Sequence, residues 1–261
     1  MTDQIQFDDG AAYEHYMGVW SRTAGEAFLD WLAPPPGLKW LDVGCGNGAF
    51  TETLLDRCAP ESVDGIDPSE AQLAYARSRF SAREAHFQVG DAMALPFPDA
   101  SFGAAVMPLV IFFVPVPARG VAEMARVVRP GGLVAAYGWD LEGGGFPYEA
   151  FRQEIMAGGG TVPQPPNPDA AGAESLQHLW RDAGLTDVSM HEITVQRTFS
   201  SFDDYWRIAS GGPSVGAALK RLPAADLAAL QSRMRSRLPA DDSGRITITA
   251  RANAVRGHVR R

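Results

Sequence analysis

The chain has 261 residues, 46% of them hydrophobic and 21% charged, with a formal net charge of −8. That size and balance suit one α/β domain with a helical appendage and exclude a disordered chain. An acidic chain has no general attraction for phosphate backbones, which argues against nucleic acid as a partner.

In chain order, residues 11–32 read as helical, with Tyr13, Tyr16, Trp20, Phe28, Leu29 and Leu32 at helical spacing. Pro34-Pro35-Pro36-Gly37 stops that helix. Lys39 to Val43 is a short apolar strand running into a glycine loop, and Ala49 to Arg57 resumes helical spacing. Ser62 to Ile66 is the next strand, closed by Asp67-Pro68-Ser69. Glu70 to Arg79 follows as a helix with Ser69 as its N-cap. Ala85 to Val89 and Phe102 to Met107 are strands three and four, and Val121 to Val128 is a helix. Pro130-Gly131-Gly132 is a turn, and Leu133 to Tyr137 is strand five.

Beyond it, 141–175 is rich in Gly, Pro and Ala and reads as an irregular connection. Glu174 to Gly184 is a helix and Thr186 to Gln196 a strand. Residues 202–238 are helical, broken at Gly211-Gly212-Pro213 and at Pro223, and Arg245 to Ala250 alternates as a last strand. Strands alternating with helices predict an α/β doubly wound, mostly parallel sheet, completed by an antiparallel hairpin-like pair around a helical insertion. In such sheets ligands sit beyond the carboxyl ends of the strands.

The uncharged stretch from Ala100 to Ala118 has the length of a membrane span, but Pro108, Pro115 and Pro117 lie inside it. A buried strand leading into a loop is the expectation, with no membrane span. Cys45 and Cys58 form no CxxC pair, and His15, His86, His178, His191 and His258 show no ligand spacing, so no metal is expected. Asp3, Asp8 and Asp9 precede no basic-then-apolar run, so no secretory leader is read and the cytoplasm is the expected compartment. Arg256, Arg260 and Arg261 read as a solvated terminus.

The chemical signal is Trp40-Leu41-Asp42-Val43-Gly44-Cys45-Gly46-Asn47-Gly48-Ala49-Phe50. Its glycines let the backbone approach a ligand at a helix N-terminus. Alone, the loop also satisfies the dinucleotide pattern GxGxxG/A, and Asp67 stands where a ribose-binding acid is expected. The pair therefore fixes an adenosine-type ligand better than it fixes which one. Asp42 directly before the glycines suits a cationic amino-acid moiety and is a poor neighbour for a pyrophosphate. Gly90-Asp91-Ala92 places a carboxylate where an adenine amino group would donate. Leu95-Pro96-Phe97-Pro98-Asp99-Ala100-Ser101-Phe102 and Arg129-Pro130-Gly131-Gly132 complete the series.

From Trp40 to Gly132 the chain resembles the class I S-adenosylmethionine-dependent methyltransferases of the type 11 group, which includes the ubiquinone/menaquinone-biosynthesis C-methyltransferases. The resemblance implies a seven-stranded Rossmann-like sheet, S-adenosyl-L-methionine as cofactor, and a cofactor site of Asp42, Gly44, Cys45, Gly46, Gly48, Asp67, Pro68, Asp91, Ala92 and Met107. Gly103 departs from the family, which usually has Asp there. The expected organisation is one domain over 1–261, with an N-terminal helical lid at 1–36, a cofactor-binding core at 37–140 and a helical insertion at 198–243. Tyr16, Trp20 and Arg22 of the lid are expected to close over the cofactor, Arg22 reaching its carboxylate. Trp139, Asp140, Tyr205 and Trp206 are expected to wall a pocket for a small-molecule acceptor. The Phe112-Phe113 pair fits either the core or a pocket wall. Asp140, His191 and Tyr16 are of the right type for a general base, yet no spacing marks a catalytic dyad, so the catalytic residue stays unassigned. The rival readings are a non-catalytic binding protein with this fold and an NAD(P)-linked oxidoreductase. A monomer and a homodimer are equally compatible.

Overall fold

The computed structural model describes residues 14–80 and 85–261. Residues 11–13 of the expected first helix, Tyr13 among them, and the start of the expected lid lie outside the described residues.

Seven strands form one sheet: β1 (Lys39–Val43), β2 (Ser62–Asp67), β3 (Ala85–Val89), β4 (Phe102–Pro108), β5 (Val128–Trp139), β6 (Thr186–Phe199) and β7 (Ile246–His258). Their order is β3-β2-β1-β4-β5-β7-β6. The first five pair in parallel; β7 runs antiparallel to β5 and to β6. The order reverses between β1 and β4, so the chain ends of these two strands open a crevice. All seven residues of β4 are buried, which explains an apolar run without alternation: a central parallel strand is covered on both faces. The edge strand β3 exposes His86, Gln88 and Val89. No helix among the described residues is long and apolar enough to cross a membrane.

The helices are α1 (Val19–Leu32), α2 (Ala49–Arg57), α3 (Glu70–Arg79), α4 (Pro117–Val127), α5 (Glu149–Ala157), α6 (Ala173–Asp182), α7 (Phe202–Ser210), α8 (Val215–Leu219) and α9 (Ala224–Arg237). A single π-turn, Glu14–Gly18, leads into α1. The Ser69 side chain caps α3 by accepting from the Gln72 N–H, 3.4 Å. Helices α7, α8 and α9 occupy the insertion between β6 and β7, and their breaks fall at Gly211–Pro213 and Pro223.

Four of the differences from the sequence expectation have a clear physical reason. Helix α4 starts at Pro117, because proline at the first helical position loses no hydrogen bond and presets φ. The Pro130–Gly132 turn lies inside β5 as an irregularity: the register shifts between Phe102 and Ala104, and Gly131 takes φ +76°. The irregular connection holds a helix, α5, which buries Phe151 and Ile155; glycines and prolines on either side mask it. Strand β7 continues to His258, since its second half is paired on both sides. There small residues at Ala252 and Ala254 and a buried Asn253 blur the alternation, and the Asn253 amide donates to the Ala171 carbonyl, 3.0 Å.

Candidate functional site

A cavity of about 1200 Å³ opens beyond the carboxyl ends of β1, β2, β4 and β5. One wall is the glycine loop between β1 and α2. Gly44 and Cys45 donate their N–H groups to the Ile66 carbonyl, 2.8 and 2.9 Å, which ties the loop to β2. Gly44 has φ +75°, and a Cβ there would stand 2.5 Å from Val110, so the position requires glycine on both counts.

Asp42, one residue before the end of β1, is fully buried and lines the cavity. Thr51 Oγ1 of α2 donates to its Oδ2, 2.7 Å. Its Oδ1 has no hydrogen-bond partner among the described residues. Burial pushes its pKa up to about 7; the Thr51 hydroxyl opposes the rise and the nearby Asp67 carboxylate adds to it. Asp67 ends β2, and each of its oxygens accepts one backbone N–H: Oδ2 from Gly46, 3.0 Å, and Oδ1 from Ser69, 2.8 Å. Burial raises its pKa while those two bonds hold it down. Asp91 stands exposed at the rim after β3, its Oδ1 accepting from the Met93 N–H, 2.8 Å. The loop behind it is held by Arg126 of α4, which donates to the Phe97 and Leu95 carbonyls at 2.9 and 3.0 Å.

The second wall is apolar. Leu109, Val110 and Phe113 follow β4, and Tyr137 comes from β5. Across them runs a strap, Thr161-Val162-Pro163-Gln164-Pro165-Pro166. Asn167 fastens its end: its amide donates to the Val114 and Pro115 carbonyls at 2.7 and 3.3 Å, and its N–H to Phe112 at 3.1 Å. Ser21 of α1 and Arg221 of the insertion also line it.

Of the residues expected at the site, Asp42, Gly44, Cys45, Gly46, Asp67, Pro68 and Asp91 line this cavity. Gly48 sits beneath the loop at the N-cap of α2, with φ +81°. Met107 is buried within β4, and Ala92 does not line the cavity. Tyr16, Trp20 and Arg22 do not line it either. Tyr16 stacks on Tyr148 with ring centres 4.4 Å apart, and Trp20 meets Trp139 edge-on at 6.4 Å. Arg22 pairs with Glu14 at 3.0 Å, and Glu14 in turn accepts from the amide of Asn47 in the glycine loop, 3.1 Å. The lid therefore touches the loop through Glu14, while Arg22 faces that carboxylate.

The four expected acceptor residues are likewise not brought to the cavity. Trp139 is buried against Trp20. Asp140 is held by Arg251, 2.6 Å. Tyr205 and Trp206 pack on Phe151 at 5.3 and 5.1 Å. Large aromatics gain more by mutual burial than by standing at a wet rim, and this sequence supplies enough of them to form a cluster under the insertion. His191 stacks on Trp31 at 5.4 Å. Among the lining residues missed by sequence reasoning are the strap, Val110, Ser21, Tyr137 and Arg221. One signal was available: a stretch with prolines at 163, 165 and 166 is stiff and extended. Phe112 goes to the core and Phe113 to the cavity wall.

This sheet order, with five parallel strands and antiparallel final strands, is that of the Rossmann-like methyltransferase fold. Residues 41–136 of the chain match the family model of a methyltransferase domain. An O-methyltransferase of Penicillium expansum is 34% identical over 167 residues, 62% of this chain and 57% of that protein. The ubiquinone/menaquinone biosynthesis C-methyltransferase UbiE of Roseobacter denitrificans is 39% identical over 111 residues, 41% of this chain and 44% of that protein. The chain thus spans about half the length of the curated relatives it matches. Among solved structures, phosphoethanolamine N-methyltransferase 2 of Haemonchus contortus, in complex with S-adenosyl-L-methionine, shares the fold. Its TM-score is 0.62 at 18% identity, covering 98% of this chain and 58% of that one. S-adenosylmethionine is the ligand bound in that neighbour. The donor set here fits it: a buried carboxyl oxygen of Asp42 with no partner among the described residues, a second carboxyl on Asp67, and a glycine loop open to close approach.

Proposed function

We propose that the chain transfers the methyl group of S-adenosylmethionine to a small-molecule acceptor bound in the same cavity. The supporting observation is a single cavity of about 1200 Å³ with carboxylates at the glycine loop and an apolar wall beyond them. It exceeds the usual upper size of about 1,000 Å³ for a site holding one drug-sized ligand.

S-adenosylmethionine brings an electrophilic methyl group on a sulfonium, whose departure needs no assistance from an acid. The chain's task is to bind, orient and keep out water. Asp42 holds the ammonium of the methionine moiety with its Oδ1, and meeting that cation favours its ionised form. Asp67 accepts from the ribose hydroxyls with lone pairs left over from its two backbone bonds, since a carboxylate has about four acceptor sites. Asp91 accepts from the adenine amino group at the rim. The strap and the residues after β4 exclude water from the reacting atoms. Helix α1 roofs the cavity at Ser21, and residues 1–36 act as its lid.

Thermal unfolding with S-adenosylmethionine, S-adenosylhomocysteine and NAD tests the cofactor assignment. Either methyl-cofactor form at a hundred times its Kd stabilises the fold by about 2.7 kcal/mol, and NAD does nothing. No shift with either form near millimolar concentration sinks the proposal. Release of S-adenosylhomocysteine across a metabolite panel then separates an enzyme from a binding protein that has kept the fold.

A further inference from the structure

On the methyl-transfer reading above, we infer that Glu14 is a positioning residue for the methyl donor, fixing the cavity face of the glycine loop through Asn47. Glu14 does not line the cavity, whereas Asn47 does. The Asn47 side chain is buried and held at both ends. Its Nδ2 donates to Glu14 Oε2, 3.1 Å, and its Oδ1 accepts from the Ala49 N–H at the start of α2, 3.2 Å. Glu14 thus stands behind the amide that orders the turn into α2. The loop's other ties run to β2, from Gly44 and Cys45 to Ile66 and from Gly46 to Asp67. Those bonds secure the loop on one side, and Glu14 secures it on the other.

Glu14 is itself held. Arg22 of α1 donates to its Oε1 at 3.0 Å, and Arg79, the last residue of α3, stands 3.7 Å from its Oε2. Arg79 also donates to the Asn47 carbonyl, 3.5 Å. The turn that carries Glu14 is anchored in the core. The Tyr148 hydroxyl donates to the Tyr16 carbonyl, 2.7 Å, and the two rings stack. One carboxylate therefore joins the core-bound start of α1 to the glycine loop and to α3.

The sequence makes room for that carboxylate at Gly18. This residue lies between the π-turn and α1 with helical dihedrals, φ −56° and ψ −43°, so its backbone does not require glycine. A Cβ there would stand 2.5, 2.6 and 2.8 Å from the Glu14 carboxyl carbon and its two oxygens. Glycine is what lets the carboxylate lie back over the turn toward Arg22 and Asn47. A methyl group would push it aside at little cost to the fold, because the displaced group is the end of a flexible side chain. A loop already set in its bound shape saves the entropy of ordering it when the ligand arrives. Donor affinity therefore depends on a carboxylate that the donor never meets.

Wild type, E14A, E14Q, G18A and the E14A/G18A double variant are compared as full chains. S-adenosylhomocysteine affinity is measured by calorimetry, its off-rate by surface plasmon resonance, and stability by urea unfolding without ligand. E14A is expected to weaken binding about tenfold, mostly through a faster off-rate, the effect of losing one hydrogen bond to a charged group. E14Q keeps an acceptor for Asn47 and loses less. G18A weakens binding about as much as E14A yet unfolds at the same or a higher urea concentration, since alanine favours a helical turn more than glycine does. In the double variant the carboxylate is already gone, so G18A adds nothing to E14A. Exchange of the Ala49 amide quickens in E14A and G18A alike.

Unchanged S-adenosylhomocysteine affinity in E14A or in G18A overturns the inference. Additive losses in the double variant overturn it too. So does a G18A protein whose affinity falls only in step with its stability, which would make the turn plain scaffold. If S-adenosylhomocysteine does not bind the wild-type chain, it is the methyl-transfer reading that has failed, and the inference falls with it.

Discussion

Replacing Asp42 with Asn separates what the buried acid does for the fold from what it does for the ligand. Asp42 is fully buried, and its pKa stands at about 7 against an ordinary 3.8. Between those values the folded chain keeps a proton that the unfolded chain has released. Stability then falls as pH rises, because the slope follows protons bound in the unfolded state minus those bound in the folded state, here a negative number. About three pKa units at 1.36 kcal/mol each give a total loss of about 4 kcal/mol, complete above about pH 7 and absent below about pH 4. Roughly 2.5–3 kcal/mol of it falls between pH 5 and pH 8. Asn cannot ionise, and its side-chain oxygen can still accept from Thr51. The D42N protein without ligand should gain that much on the wild type when urea unfolding at pH 8 is compared with pH 5. Every other titrating group common to both proteins cancels in this difference. Parallel stability curves for the two proteins would refute the assignment of a burial-raised pKa. The same substitution should weaken S-adenosylhomocysteine binding. Calorimetry near pH 6.5 in buffers of different ionisation enthalpy should detect proton release on binding to wild type and none on binding to the variant. Retained affinity in D42N would show that the orphan oxygen faces no cation.

Asp67→Ala should weaken S-adenosylhomocysteine by about 1.5–3 kcal/mol in calorimetry, since hydrogen bonds to a charged acceptor are lost. The Gly46 N–H loses its partner as well, so amide exchange in the glycine loop should quicken in the same variant. Trp139→Ala should cost about 3–5 kcal/mol of stability by chemical denaturation, as for a large buried aromatic. If Trp139→Ala instead leaves stability intact and removes only turnover, Trp139 is an acceptor contact and not core.

How much of this was legible in the sequence follows from where each residue gets its position. Asp42, Gly44, Gly46, Asp67 and Asp91 stand at or just after strand ends, so a strand assignment and a short motif place them together. The acceptor wall has no such local signature. Strap residues 161–166 reach the cavity only because Asn167 is tied to the loop after β4, some fifty positions earlier in the chain. Arg221 depends on how three helices pack, and nothing beside it in the sequence marks it as a lining residue. Trp139 and Tyr205 were readable as aromatic but not as interior or rim, because either environment rewards burial of a ring. The sheet itself was legible through β5. Strand β7 was cut short because a strand paired on both sides needs no alternation in its inner half.

The cavity is built by two lengths of chain, one inside the family match and one outside it. The glycine loop, Asp67 and Asp91 lie within residues 41–136, where the family match holds. The strap, Tyr137, Ser21 and Arg221 all lie outside it. On the methyl-transfer proposal, the part of the acceptor wall outside that range can be engineered while the donor side is left alone. The strap is the natural segment to exchange: it leaves α5 through Gly158-Gly159-Gly160 and is anchored at Asn167, so its two ends are fixed points between which another sequence of similar length would fit. Chimeras cut at those two points would inherit the donor site whole and differ in the shape of molecule they admit.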